Sequence, residues 1–157
     1  MKIIIGLQAR TNSKRLPGKV LKKINDKPLL SFVIDRLKKT KLSNEIFVLT
    51  SKQKSDDVIE YYCKKNNIKF FRGSLDNVLS RFVLFGKAYN AFGVVRICAD
   101  RPFIDPEFID DAIIYYLNNF SYVLGGTERI SLILAVFIPL IILATINSFM
   151  LNKVNEK

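Results

Sequence analysis

The chain has 157 residues, 49% of them hydrophobic and 25% charged, which is enough for one compact domain with its own core and too apolar for a disordered segment. Its net charge of +11 is unevenly placed: 14 of the 25 Lys and Arg but only 3 of the 14 Asp and Glu lie within residues 1–54. There is no His, which excludes imidazole bases and His-ligated zinc; Cys63 and Cys98 stand far apart in apolar surroundings, as expected of buried free thiols in a reducing cytoplasm.

The apolar run Ile3 to Leu7 predicts a strand buried on both faces of a parallel sheet. It opens into Gln8-Ala9-Arg10-Thr11-Asn12-Ser13-Lys14-Arg15-Leu16-Pro17-Gly18-Lys19, a loop with Arg10, Lys14, Arg15 and Lys19 and no carboxylate. Arg offers a planar fork for phosphate oxygens and Lys a compact point charge, so the loop suits a ligand with several phosphates. A solvated basic turn accounts for the same letters, and the charge by itself also admits nucleic acid or an anionic membrane. Two common phosphate loops are excluded. Gly18-Lys19 is followed by Val20 and position 13 is Ser13, which breaks the Walker pattern, and one glycine is too few for the dinucleotide fingerprint.

Further along, Asn25-Asp26-Lys27 predicts a turn, and Pro28 opens a helix whose apolar face is Leu29, Leu30, Val33, Ile34 and Leu37. Residues 45–50 predict the second strand. Ser55 is expected to cap a helix with Asp56 and Asp57 in its first turn and Val58, Ile59, Tyr62 and Cys63 facing the core. Residues 68–71 predict a third strand. A helix over 75–89 follows, with Val78, Leu79, Phe82, Phe85 and Tyr89 as a core stripe. Residues 93–98 predict the fourth strand, Asp105-Pro106-Glu107 start another helix, and residues 121–124 begin an expected fifth strand. Alternating strands and helices imply right-handed crossovers and a three-layer α/β domain with a mainly parallel sheet.

Ligands of such sheets bind beyond the C-terminal strand ends, where the winding reverses. If the first and fourth strands are neighbours there, Asp100 faces the basic loop. A carboxylate beside a triphosphate is useful chiefly when a divalent ion lies between them, and Mg²⁺ is commonly held by one or two carboxylates plus phosphates and water. The competing reading of Asp100 is a structural salt bridge with Arg96 or Arg101.

The loop from Leu7 to Lys19 resembles the opening loop of the cytidylyltransferases that make CMP-activated acidic sugars, most closely the spore-coat-polysaccharide branch, a relative of the acylneuraminate and deoxy-octulosonate enzymes. The segment Arg96 to Pro106 resembles that family's metal-bearing segment, with Arg101 where the branch has a small uncharged residue. Arg72-Gly73-Ser74 with Asp76, Val78, Leu79 and Arg81 resembles the segment that helps hold cytosine and ribose, Arg81 steadying it through Asp76; a capped helix with an internal ion pair explains those letters equally. The resemblance implies a Rossmann-like nucleotide-diphospho-sugar transferase fold, here ending after the fifth strand. It implies transfer of CMP from CTP to an acidic sugar for a surface polysaccharide, with release of pyrophosphate and dependence on Mg²⁺. It assigns Arg10 and Lys19 as catalytic residues on the triphosphate and Asp100 to the metal. Gln8, Ala9, Arg10, Ser13, Lys14, Arg15, Lys19, Arg72 and Ser74 are assigned to the nucleotide. CTP and an acidic sugar are the implied partners, nucleic acid is not, and a homodimer is typical of the family.

The likeness covers residues 1–123, so a nucleotide-binding domain over 1–124 and a hydrophobic tail over 125–157 are expected. The tail contains a run of 23 uncharged residues, Ile130 to Asn152, flanked by Arg129 and Lys153. Bilayer spans need ~20 mostly apolar residues, so a membrane anchor tethering a cytoplasmic domain is one reading. An aberrant C-terminus and a buried core segment are the others. A chain lacking an acceptor-sugar pocket would be a non-catalytic nucleotide-binding remnant or a membrane-tethered module, the alternative to a working transferase.

Overall fold

The structure, a computed structural model, describes residues 1–13, 16–43 and 45–126, with side chains as far as Asn119. Lys14, Arg15 and the apolar run 130–152 lie outside the described residues. The chain divides into a compact unit, Met1–Glu107, and a second unit that begins at Phe108.

The first unit is built on four parallel strands, β1 (Ile3–Gln8), β4 (Ile46–Ser51), β5 (Phe70–Gly73) and β6 (Gly93–Cys98), in the order β5-β4-β1-β6. A small antiparallel ribbon, β2 (Lys23–Ile24) with β3 (Lys27–Pro28), stands apart from them. Its two-residue turn is Asn25-Asp26, both at positive φ (46° and 62°). That is the backbone of a type I′ hairpin turn, in which Asn and Asp are tolerated because their short side chains bond locally.

Winding from β1 through α1 (Leu29–Leu37) to β4, and through α2 (Asp57–Lys65) to β5, moves the chain one way along the sheet. The return through α3 (Val78–Ala88) to β6 crosses back over β1. Right-handed crossovers therefore put α1 and α2 on one face and α3 on the other. Side chains alternate along the strands to match. Ile4, Phe47 and Leu49 form a buried cluster with Phe82 and Phe85 of α3. Ile5, Leu7 and Val48 point the opposite way and are fully buried, as are Leu30, Val33 and Leu37 of α1 and Ile59 and Cys63 of α2. Each such side chain contributes roughly 1.5–3 kcal/mol by leaving water. A Ser31–Tyr62 hydroxyl hydrogen bond joins α1 to α2.

The expectations from sequence need correction at the core faces, at Cys98 and at the fifth strand. Val58 is 51% exposed and Leu79 is 75% exposed, because each lies one position off the buried stripe of its helix. Cys63 is buried, and desolvation followed by the nearby Glu60 charge pushes its thiol up to about 12, whereas Cys98 is only partly buried; both are free thiols. The expected fifth strand at 121–124 is instead the last stretch of α4 (Pro106–Gly126). Ser121, Tyr122 and Val123 tolerate a strand, but they continue a helix already four turns long, and adding a residue to an existing helix requires no new nucleus. No helix among the described residues is long and apolar enough to cross a membrane.

Candidate functional site

The winding reverses between β1 and β6, and the loops leaving their C-terminal ends stand side by side, the place where sheets of this kind form a ligand cleft. Ala9 N–H donates to Leu49 O at 3.0 Å and Ala99 N–H to Gln8 O at 3.0 Å, so both loops begin from fixed points. The basic loop then folds on Thr11, whose carbonyl accepts from Ser13 N–H (2.9 Å) and Gly18 N–H (2.8 Å). Gly18, at φ 67°, occupies a left-handed conformation that a side chain would strain, and it turns the chain into the short 3₁₀ segment Lys19–Leu21.

That turn brings Lys19 to Asp100. Its ammonium donates to the Asp100 carboxylate across 81 residues of sequence. The hydrogen bond and charge of Lys19 hold the Asp100 carboxyl below the usual carboxylate range despite partial burial. The competing sequence reading paired Asp100 with Arg96 or Arg101. Arg96 instead donates from Nε to Gln8 Oε1 at 3.0 Å and lies over the Phe82 ring, 5.7 Å from its centroid. With side chains 29% and 38% exposed, the Lys19–Asp100 pair belongs with surface ion pairs worth ~0–1 kcal/mol.

Of the remaining candidates in the loop, Ala9 is buried, Gln8 and Ser13 are half-buried and Arg10 is exposed. Arg10 and Arg96 are close enough to bear on Arg81, which is fully buried. Burial lowers the pKa of Arg81, Asp56 opposes that shift, and Arg10 and Arg96 add to it. The described cations at this end thus fall into two groups, Lys19 beside Asp100 and the mutually interacting Arg10, Arg81 and Arg96.

Arg72 and Ser74 sit at the end of β5, two strands from β1, or about 10 Å at ordinary strand spacing. Arg72 is heavily engaged: Nε donates to Ser51 O (2.8 Å), Nη2 to Gln53 O (2.9 Å) and Asp57 (2.8 Å), and Nη1 to Glu60. Ser74 Oγ accepts from Asn77 N–H at 3.1 Å. Arg81 does steady this segment, but not through Asp76. Its Nε and Nη2 donate to Ser74 O and its Nη2 to Leu75 O. The close approach needs Gly73, since a Cβ there would lie 2.5 Å from Arg81 Cγ.

Asp56 was read from sequence as a first-turn acid of α2, and its larger role was missed. It is 1% exposed, and its carboxylate reaches back rather than capping the helix. Oδ1 accepts from Thr11 N–H (2.8 Å) and Thr11 Oγ1–H (2.7 Å), and Oδ2 from Ser51 N–H (3.2 Å) and Ser51 Oγ–H. Burial alone would raise its pKa, but the hydrogen bonds from Ser51 and Thr11 outweigh it, and the group stays ionised. The only sequence signal was a second acid beside Asp57 just after Ser51, which ordinary capping already explains.

The cytidylyltransferase family model matches residues 3–138. The chain is 34% identical over 131 residues to the spore coat polysaccharide biosynthesis protein SpsF of Bacillus subtilis, covering 79% of this chain and 55% of SpsF. It is 30% identical over 120 residues to the 3-deoxy-manno-octulosonate cytidylyltransferase of Chloroherpeton thalassium, covering 76% and 48% of the two chains. The solved structure of a cytidylyltransferase from Leptospira borgpetersenii superposes with a TM-score of 0.70 at 38% identity, covering 76% of this chain and 50% of that one. The chain belongs to the cytidylyltransferase family and has its α/β fold with a mainly parallel sheet. It spans about half the length of the curated relatives it matches.

Proposed function

We propose that this chain carries the nucleotide-binding half of a transferase that moves CMP from CTP to an acidic sugar, and that the β1–β6 cleft holds the triphosphate. The observation that carries this reading is the meeting of Lys19 and Asp100 at the sheet's reversal point. A cation and a carboxylate at one strand-end cleft fit a polyphosphate and a divalent ion together. Their mutual pairing is weak enough to exchange for those ligands at little cost.

Asp100 is a partly exposed hard-oxygen donor, which fits Mg²⁺. No group of three or more His, Cys, Asp or Glu suited to a metal occurs among the described residues, so the fit is to an ion shared with substrate phosphates rather than to an all-protein cage. When bound, Mg²⁺ supplies charge neutralisation for the departing pyrophosphate. Lys19 then turns from Asp100 to the phosphates, and Arg10, with Lys14 and Arg15 of the same loop, adds charge-assisted donors to them. Ser74 and Arg72, at the end of β5 two strands from β1, are assigned to the cytosine and ribose end. Because Arg72 is held by Ser51, Gln53, Asp57 and Glu60, its part is to shape the cytosine and ribose end unless it exchanges one of those partners. These groups bind and orient the reactants in line, the contribution on which phosphoryl-type transfer chiefly depends.

The second reading is nucleotide binding without transfer. One assay separates the two. Incubated with CTP, Mg²⁺ and a panel of sugar acids that includes 3-deoxy-manno-octulosonate, a working transferase releases pyrophosphate in step with CMP-sugar. CTP binding without pyrophosphate from any acceptor selects the non-catalytic reading, and no CTP binding refutes both.

A further inference from the structure

We infer that Asp56 is a positioning residue for the basic loop. It acts through Thr11 and fixes the root of the loop, and with it Lys19, before any nucleotide arrives. The reasoning starts from an imbalance. A carboxylate that is 1% exposed in a domain this basic would be expected to pair with a cation, yet every hydrogen bond it makes is to a neutral donor on Thr11 or Ser51. Those donors are not its helical neighbours. Thr11 lies 45 residues away at the root of the basic loop, and Ser51 is the last residue of β4.

Thr11 in turn organises the loop. Its carbonyl holds both Ser13 and Gly18, and the left-handed Gly18 immediately precedes Lys19. A chain of contacts therefore runs from Ser51 through Asp56 and Thr11 to Gly18 and Lys19. Ordering a loop around a triphosphate costs conformational entropy. Fixing its root in advance reduces that cost, and four hydrogen bonds to one buried anion are well suited to do so. Arg72 secures the same strand end from the other side by donating to Ser51 O, so Asp56 pulls against a fixed point.

The inference rests on the reading that the loop binds nucleotide, and its test has one arm independent of that reading. In the ligand-free full chain, amide hydrogen exchange is followed over the peptide spanning residues 9–18. Asp56→Asn keeps the shape, but its amide nitrogen cannot accept from Ser51 or Thr11, and it is expected to speed exchange there by about tenfold or more. Thr11→Val, which removes one hydroxyl and preserves the fold's core, is expected to give a smaller increase, and Thr11→Ser, which keeps both donors, none. The second arm is calorimetric titration with CTP and Mg²⁺. Asp56→Asn should weaken affinity about tenfold and Thr11→Val severalfold, while Thr11→Ser and Ile59→Val, a stability control in α2, bind as the parent chain does. Unchanged exchange in both Asp56→Asn and Thr11→Val overturns the clamp. Faster exchange with parental CTP affinity overturns the positioning role. A parent chain that binds no CTP refutes the functional reading, and the exchange arm still decides the clamp.

Discussion

Lys19→Ala is expected to lower CTP affinity by roughly 10- to 100-fold, the range given by losing charge-assisted hydrogen bonds to phosphate. The lysine is fixed in position by Gly18, by the 3₁₀ segment it opens and by Asp100 opposite. In the ligand-free chain its partner is a half-exposed carboxylate, so removing the side chain costs little stability. The loss should therefore appear in binding and hardly at all in unfolding. Lys38→Ala is the matched control. Lys38 ends α1 with a loose 3.9 Å contact to Asp35 and makes the same change in net charge. Calorimetric titration of both variants separates a located phosphate contact from a general attraction by the chain's excess positive charge. Equal losses in the two would mean that net charge, not this cleft, attracts the nucleotide.

The second large effect concerns the frame on which the cleft is built. Phe85→Ala is expected to destabilise the fold by ~3–5 kcal/mol, a sizeable share of the ~5–15 kcal/mol that holds an ordinary domain together. Phe85 is fully buried on α3, with its ring 5.0 Å from Phe47, 5.6 Å from Phe71 and 5.2 Å from Tyr89. These rings join β4, β5 and the end of α3, the elements that carry Ser51, Arg72 and Arg81. Leu79→Ala, on the same helix but 75% exposed, should change the urea midpoint by little. The comparison also tests the assignment of the aromatic stripe to the core. A base-stacking platform would lose nucleotide affinity on truncation while keeping its stability.

Much of the sheet was legible from sequence because its strands are short apolar runs bounded by polar turns. The neighbouring of the first and fourth of these strands stood only as a condition in the sequence, because handedness does not fix strand order; their pairing, with Gln8 in register with Cys98, brings the two loops together. What was less legible depends on distant partners. Nothing local to Ser55-Asp56-Asp57 distinguishes a capping acid from one that crosses 45 residues to Thr11. Arg81 was expected to pair with Asp76, the nearer charge, yet the tight Gly73 lets it reach backbone carbonyls instead. Residues 121–124 look strand-like only when removed from the long helix that leads into them.

The central claim is that Lys19 and Asp100 mark a site shared by a triphosphate and a divalent ion, and the most direct test is removal of the ion. CTP is titrated into the parent chain and Asp100→Asn, each with Mg²⁺ and with a chelator. The account predicts that Mg²⁺ tightens binding to the parent chain by about tenfold or more and that Asp100→Asn abolishes most of that gain. The same Mg²⁺ gain in both proteins, or none in the parent chain, would contradict it.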